Sequence, residues 1–156
     1  MRKYLLHVLI ISFVFLLAPT AQVASYAGEI EDAREEVRNN PDDAKAHFGL
    51  GIAYFNAGRY GESANAFVRA IRIDSDFAAA HNNLGIVYAR SGKHKKAIKS
   101  FKKAIRIDPY LAKAYYCLGI EYLLANDRDS ALKQYEILKE LDTRLANALF
   151  DLIYRE

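Results

Sequence analysis

The residue types most able to do chemistry in this 156-residue chain are four histidines and a single cysteine. Metal binding or nucleophilic catalysis needs several such groups converging on one point. His47 and His81 stand 34 residues apart instead, and His94 opens a lysine-rich stretch. Cys117 has no second cysteine for an internal disulfide or a metal-binding pair. No hydrolase, zinc-protease or phosphate-loop motif is present either, so the residues predict no enzyme, no metal and no cofactor.

Charge is the second chemical feature. The formal net charge of +3 is too small to predict nucleic-acid binding. Its distribution is uneven: residues 29–43 hold seven acids and two arginines, whereas residues 93–106 hold seven cations and no acid. A solvated outer face is the favoured interpretation of the basic stretch, because aromatic residues are not interleaved with it. The alternative is docking to an acidic lipid surface, wall polymer or second copy through Lys95, Lys96, Lys99, Lys102, Lys103 and Arg106.

The elements that position these residues repeat along the chain. The tripeptide Leu-Gly-Ile recurs three times at a stride of 34 residues, at positions 50–52, 84–86 and 118–120. Tyrosines at 54, 88 and 122 keep the same stride. Internal repetition at 20 to 50 residues is typical of solenoids, in which each unit buries its apolar face by stacking on the next.

Residues 78–111 show what one unit is. Apolar residues around Leu84 recur at three- and four-residue spacing, which predicts a helix that ends at Gly92. A second helix is expected to start near His94, to bury Phe101 and to stop before Pro109. The small residues Gly85 and Ala97 let the two helices approach closely. Each unit is therefore predicted to be an antiparallel helix pair, with Gly58 and Asn126 as the equivalents of Gly92.

This unit resembles the tetratricopeptide repeat, whose pattern includes Leu-Gly, a tyrosine, an alanine and an aromatic residue within 34 positions. The first match is His47, Leu50, Gly51, Tyr54, Ser63, Phe67, Ala70 and Ser75. The second is His81, Leu84, Gly85, Tyr88, Ala97, Phe101, Ala104 and Pro109. The third is Tyr115, Leu118, Gly119, Tyr122, Ala131, Tyr135, Leu138 and Thr143. The resemblance implies an all-α solenoid of helix-turn-helix repeats wound as a right-handed superhelix.

The repeats divide the chain as follows: an N-terminal cap helix in residues 28–43, repeats in 44–77, 78–111 and 112–145, and a C-terminal capping helix in 146–156. Ile30 and Val37 share one face of the first cap. The last cap is expected to cover the third repeat with Leu149 and Leu152.

Residues 1–27 differ in composition from the repeats. A basic start precedes a 14-residue apolar run from Leu5 to Ala18, followed by small residues that include Ser25 and Ala27. This order is typical of a secretory signal peptide cleaved before Gly28. The run makes only about 21 Å of helix, short of the roughly 30 Å apolar core of a bilayer. A membrane anchor is thus the minority interpretation, and the mature domain is expected to be periplasmic or secreted.

The resemblance implies that the first helices of the repeats line a concave, peptide-binding groove. The candidate groove residues are Phe48, Ile52, Phe55, Asn83, Ile86, Arg90, Lys113, Tyr116, Ile120 and Leu123. Of the carboxylate clamp in chaperone-binding members, only Asn83 and Lys113 match. An apolar peptide or a partner helix is therefore expected, rather than a terminal carboxylate. Ile86 is expected to lie mid-groove and to contribute nothing to the core between the helices.

These features predict an exported, non-enzymatic interaction module that binds a segment of another protein. An assembly or scaffold factor of a bacterial cell envelope is the favoured setting, for a secretion, pilus, outer-membrane or wall-synthesis machine. Two alternatives remain open at the level of sequence: a self-associating structural protein, and a peripheral binder of anionic surfaces through residues 93–106.

Overall fold

The computed structural model describes residues 24–154, which form eight helices and no strand. The all-α prediction is confirmed. Helix α1 covers residues 24–39. The others are α2 (Ala44–Asn56), α3 (Tyr60–Ile73), α4 (Ala78–Arg90), α5 (His94–Ile107), α6 (Ala112–Leu124), α7 (Arg128–Leu141) and α8 (Thr143–Ile153). Consecutive helices pack on each other from α2 to α8, as in a solenoid.

The turns inside the repeats follow from residues that accept a left-handed backbone. Gly58 and Gly92 have φ angles of 72° and 70°, and Asn126 occupies the same position with φ 57°. Glycine and asparagine reach this conformation at the lowest cost, so each first helix ends there. Between repeats, the carboxylates of Asp74 and Asp108 each accept a hydrogen bond from the backbone N–H two residues on. The predicted helix ends are confirmed at these positions.

A close contact between glycine and an aromatic ring joins the two helices of the first two repeats. Phe67 and Phe101 are each 1% exposed. A Cβ atom on Gly51 would lie 2.6 Å from the Phe67 ring, and one on Gly85 would lie 2.6 Å from the Phe101 ring. The backbones of α2 and α4 therefore approach rings on α3 and α5 with no room for a methyl group.

In the third repeat, the equivalent glycine faces a leucine of α8 and not an aromatic ring. A Cβ on Gly119 would meet Leu149 of α8 at 2.6 Å, and not Tyr135, the residue at the position of Phe67 and Phe101. Tyr135 is only half-buried and packs its ring 5.4 Å from that of Phe150. Tyr135 does not fill the space that the two phenylalanines fill in their repeats, because α8 supplies the residue that faces the glycine.

Helix α8 also starts earlier than predicted. Asp142 ends α7 and at once caps α8, its carboxylate accepting the backbone N–H of Leu145 at 3.0 Å. The helix therefore begins at Thr143, three residues before the expected start, because no proline follows Asp142 as Pro109 follows Asp108. Leu149 is fully buried, as expected, but Leu152 is 37% exposed. The cap relies on Leu145 and Ile153 instead.

Helix α1 covers the other end of the repeats. Ile30 is buried against Ala53 and Tyr54 of α2, with Ala33 packed beside it. The helix is continuous from residue 24, so the predicted cleavage point before Gly28 falls inside it. The rest of the predicted signal segment, residues 1–23, lies outside the described residues. Within residues 24–154, no helix is both long and apolar enough to span a membrane.

Candidate functional site

The first helices of the three repeats enclose two neighbouring clefts. The first, of about 220 Å³, lies between α2 and α4 and is lined by Ile52, Phe55, Asn56, Phe67, Asn83 and Ile86. The second, of about 350 Å³, lies between α4, the start of α5 and α6. Its lining is Ile86, Ala89, Arg90, His94, Phe101, Cys117, Ile120, Glu121 and Leu124. Ile86 borders both clefts, so they form one groove along the repeats.

Six of the ten predicted groove residues line these clefts: Ile52, Phe55, Asn83, Ile86, Arg90 and Ile120. The other four lie outside them. Phe48 packs its ring 5.5 Å from Phe67 and 4.9 Å from Phe77. Tyr116 and Leu123 pack against the C-terminal core, and Lys113 is exposed on α6. The two α6 residues Tyr116 and Leu123 are thus used in the core that α8 completes.

Ile86 contributes more to the core than expected. It is partly buried and packs against the cluster of Ala97, Phe101 and Leu118. The expectation that Ile86 contributes nothing to this core is therefore wrong. Ile52 is the freer groove residue, because it is 39% exposed and belongs to none of the core clusters of residues 24–154.

Sequence reasoning missed the polar part of the second cleft. Nδ1 of His94 lies 2.9 Å from Oε2 of Glu121, whose side chain is almost fully buried. His94 is therefore not simply solvated, as its place in the basic stretch suggests. The repeat period does indicate that Glu121 is buried. The residues 34 and 68 positions earlier are Val87 and Ala53, and both are buried.

Cys117 borders the same cleft as a neutral thiol. Burial, together with the nearby Glu121 carboxylate, raises the pKa of Cys117 to about 11. A thiol of such high pKa is a poor nucleophile near neutral pH. The cysteine thus acts as a small apolar wall residue of the cleft.

The paired histidines have a local structural role. Nε2 of His47 lies 2.9 Å from the carbonyl oxygen of Pro41, and Nε2 of His81 lies 3.2 Å from that of Ser75. Both bonds reach back six residues to the loop before the helix. Repetition therefore explains both histidines. Within residues 24–154, no three His, Cys, Asp or Glu side chains are placed to hold a metal ion.

The predicted basic face belongs to α5, the second helix of the middle repeat. Five of its six predicted residues are exposed, and the Lys103 ammonium lies 3.9 Å from Asp76. Lys96 lies over the ring of Tyr88 at 5.7 Å, and Lys102 lies over that of Tyr122 at 5.5 Å. Aromatic rings are thus interleaved with the lysines in space although not in sequence. Such cation–π contacts stabilise the fold, so part of this face has a structural role.

Comparison with known proteins places this geometry in a family. Family models match residues 78–111 (tetratricopeptide repeat) and 53–92 (TPR repeat). No curated protein matches. Among solved structures, a crystal structure of MamA is 32% identical in sequence, with a TM-score of 0.69. The aligned region covers 76% of the present chain and 69% of the MamA chain.

Two more distant structures share the fold. A thermophilic TPR protein of Thermus thermophilus is 24% identical, with 83% of this chain and 76% of its own covered and a TM-score of 0.69. The first TPR of Spaghetti (RPAP3), bound to an HSP90 peptide, is 23% identical, with 71% and 90% covered and a TM-score of 0.68. With its repeated helix pairs and a relative at 32% identity over most of both chains, the chain belongs to the tetratricopeptide repeat family.

Proposed function

We propose that this protein is a non-enzymatic interaction module that binds a peptide or helix of a partner protein in the groove formed by the two clefts. The observation that carries the proposal is the apolar lining left uncovered there: Ile52 is 39% and Leu124 is 63% exposed. Apolar surface that is rimmed by polar groups and left exposed is typical of an interaction site.

The chemistry of the groove favours an apolar segment over a chain terminus. A structural neighbour at 23% identity is bound to an HSP90 peptide, so a protein of this fold can bind a peptide. In the present chain, Ile52 and Cys117 occupy positions where chaperone-binding members use polar clamp residues. A helix or extended peptide with apolar anchors therefore fits the groove better than a terminal carboxylate.

An exported assembly or scaffold factor of a bacterial cell envelope is the finer proposal. It is supported by the basic start, short apolar run and small residues of positions 1–27. Mass spectrometry of the protein recovered from the producing cell tests it. A mass that matches residues 28–156 supports export. The mass of the full chain, found in the cytoplasmic fraction, contradicts it.

A charge placed in the groove tests the binding proposal. We expect Ile52→Lys to keep its helical circular dichroism and melting temperature, because this side chain is outside the core clusters. Capture of partners from an envelope extract should fall by tenfold or more, since central apolar anchors contribute about 2 kcal/mol or more each.

Val68→Lys is the matched control. Val68 on α3 is 38% exposed, nearly the same as Ile52, but it lines neither cleft. The Val68→Lys variant should capture the same proteins as the unmodified chain. If both variants capture equally well, the groove is not the binding site; if only Lys99→Glu loses capture, the basic face is.

Self-association remains the alternative function. The exposed apolar residues of α8, Phe150 and Leu152, favour it, because such a surface at the end of a solenoid can receive another copy. Light scattering across a concentration series distinguishes the two. A constant monomer mass excludes self-association, whereas a mass that rises with concentration and falls in a Leu152→Lys variant supports it.

A further inference from the structure

The second cleft contains a buried carboxylate in an otherwise apolar position. Glu121 is 3% exposed, and the equivalent residues of the first two repeats are Ala53, 6% exposed, and Val87, 1% exposed. Burying an ionised carboxylate costs free energy unless hydrogen bonds or an opposite charge compensate for it. The third repeat therefore carries a costly residue at a place where the other two have an ordinary core residue.

Within residues 24–154, hydrogen bonds use only part of the accepting capacity of Glu121. Among residues 24–154, its one hydrogen-bond partner is Nδ1 of His94, at 2.9 Å from Oε2. An ionised carboxylate can accept about four hydrogen bonds. The His94 side chain is itself 51% exposed, so water competes for it. The carboxylate thus retains capacity for a second donor that enters through the cleft.

The walls above the carboxylate are apolar. Ile86, Ile120 and Leu124 border the cleft, and the Phe101 ring contributes to it. Arg90 also borders the cleft, but this residue is exposed, so solvent screens its charge. The cleft therefore offers apolar contacts together with one largely buried carboxylate.

We propose that this cleft is a specificity site for a lysine or arginine side chain of the bound partner segment. The methylene stem of such a side chain would pack on the isoleucines and Leu124. Its terminal cation would donate to Glu121 and complete the pairing of the buried charge. This inference rests on the proposed function and states which partner chemistry the groove selects.

A purely structural role for the pair makes a different prediction. Helix α5 has no side-chain cap at its start, so Glu121 could simply hold His94 and secure that end of the helix. Replacing Glu121 would then lower stability without changing which peptides bind. Peptide selection separates the two roles.

The experiment selects binders from a random ten-residue peptide library on the full chain and on two variants. Glu121→Val installs the residue found at this position in the second repeat, and Glu121→Gln keeps the shape without the charge. We expect peptides selected on the unmodified chain to share a lysine or arginine at one fixed distance from their apolar residues. Peptides selected on Glu121→Val should carry leucine or methionine there.

One selected peptide then measures the contact directly. Replacing its basic residue with norleucine should weaken binding to the unmodified chain by about tenfold or more, as loss of a charge-assisted hydrogen bond does. The same replacement should change binding to Glu121→Val and Glu121→Gln by less than about threefold.

The other outcomes overturn the inference and remain distinguishable from one another. Selected peptides without a shared basic residue, or an equal loss on all three proteins, leave Glu121 with only the structural role. If the unmodified chain enriches no peptide above background, the groove itself does not bind a peptide and the proposed function fails.

Discussion

Two glycines of one helix differ in the space available for a side chain. Gly49 and Gly51 both lie inside α2, where glycine is less favourable than alanine by about 1 kcal/mol. A Cβ on Gly49 would have nothing within 4 Å, whereas one on Gly51 would lie 2.6 Å from the Phe67 ring. Only Gly51 is therefore required by packing.

This contrast predicts a reversal of sign within one turn of helix. Gly49→Ala should stabilise the fold by about 0.5–1 kcal/mol, because helix propensity alone acts there. Gly51→Ala should destabilise it by about 1–3 kcal/mol, because the buried Phe67 ring must move. Urea unfolding measures both. If the two variants shift the midpoint in the same direction, the glycine–ring contact is not tight.

Cys117 provides a second test of a single residue. Because burial raises its pKa to about 11, the thiol stays protonated at pH 8. Its alkylation by iodoacetamide should be roughly a hundredfold slower in the folded chain than in urea, since the thiolate is the reactive form. The folded rate should keep rising above pH 9. Equal rates in both states would show that the thiol is exposed.

At the scale of elements, the sequence predicted the helix pairs well for a definite physical reason. A residue able to adopt positive φ, at positions 58, 92 and 126, ends each first helix whatever the tertiary packing. The start of α8 could not be obtained from the 34-residue period, because it depends on Asp142 capping a new helix directly. The pairing of Glu121 with His94 could not be obtained from the period either, because the two residues lie 27 positions apart.

Helix α8 yields a prediction that separates its two leucines. Leu149→Ala should cost about 2–5 kcal/mol, because this side chain is fully buried against Gly119 and leaves a cavity. Leu152→Ala should cost less than about 1 kcal/mol, because more than a third of the side chain is exposed. Thermal unfolding of both variants checks this. Equal losses would mean that α8 packs in another rotation.

At the scale of the whole molecule, stability should vary along the repeats. Each helix contacts mainly its neighbours, so the ends are held from one side only. Helix α1 rests on α2 chiefly through Ile30 and Ala33, with Nε of Arg34 donating to the Tyr54 hydroxyl at 3.1 Å. The middle helices α4 and α5 are enclosed on both sides.

Hydrogen exchange is therefore expected to be fastest in α1 and slowest in α4 and α5. Ile30→Ala should accelerate exchange in α1 further and leave α6 to α8 unchanged, because the packing of residues 24–154 runs between neighbouring helices. Mass spectrometry of peptic fragments measures this. A uniform acceleration along the whole chain would instead show that residues 24–154 unfold as one cooperative unit.

The early start of α8 decides where this array can be lengthened by duplication. A 34-residue unit added after position 145 would interrupt α8, which runs from Thr143 to Ile153. A copy of residues 78–111 inserted between positions 111 and 112 would instead keep the loop before Ala112 and both end helices intact. The groove would gain one further cleft between first helices. Length added by recombination of the gene or by design is therefore best placed inside the array, ahead of its closing helix.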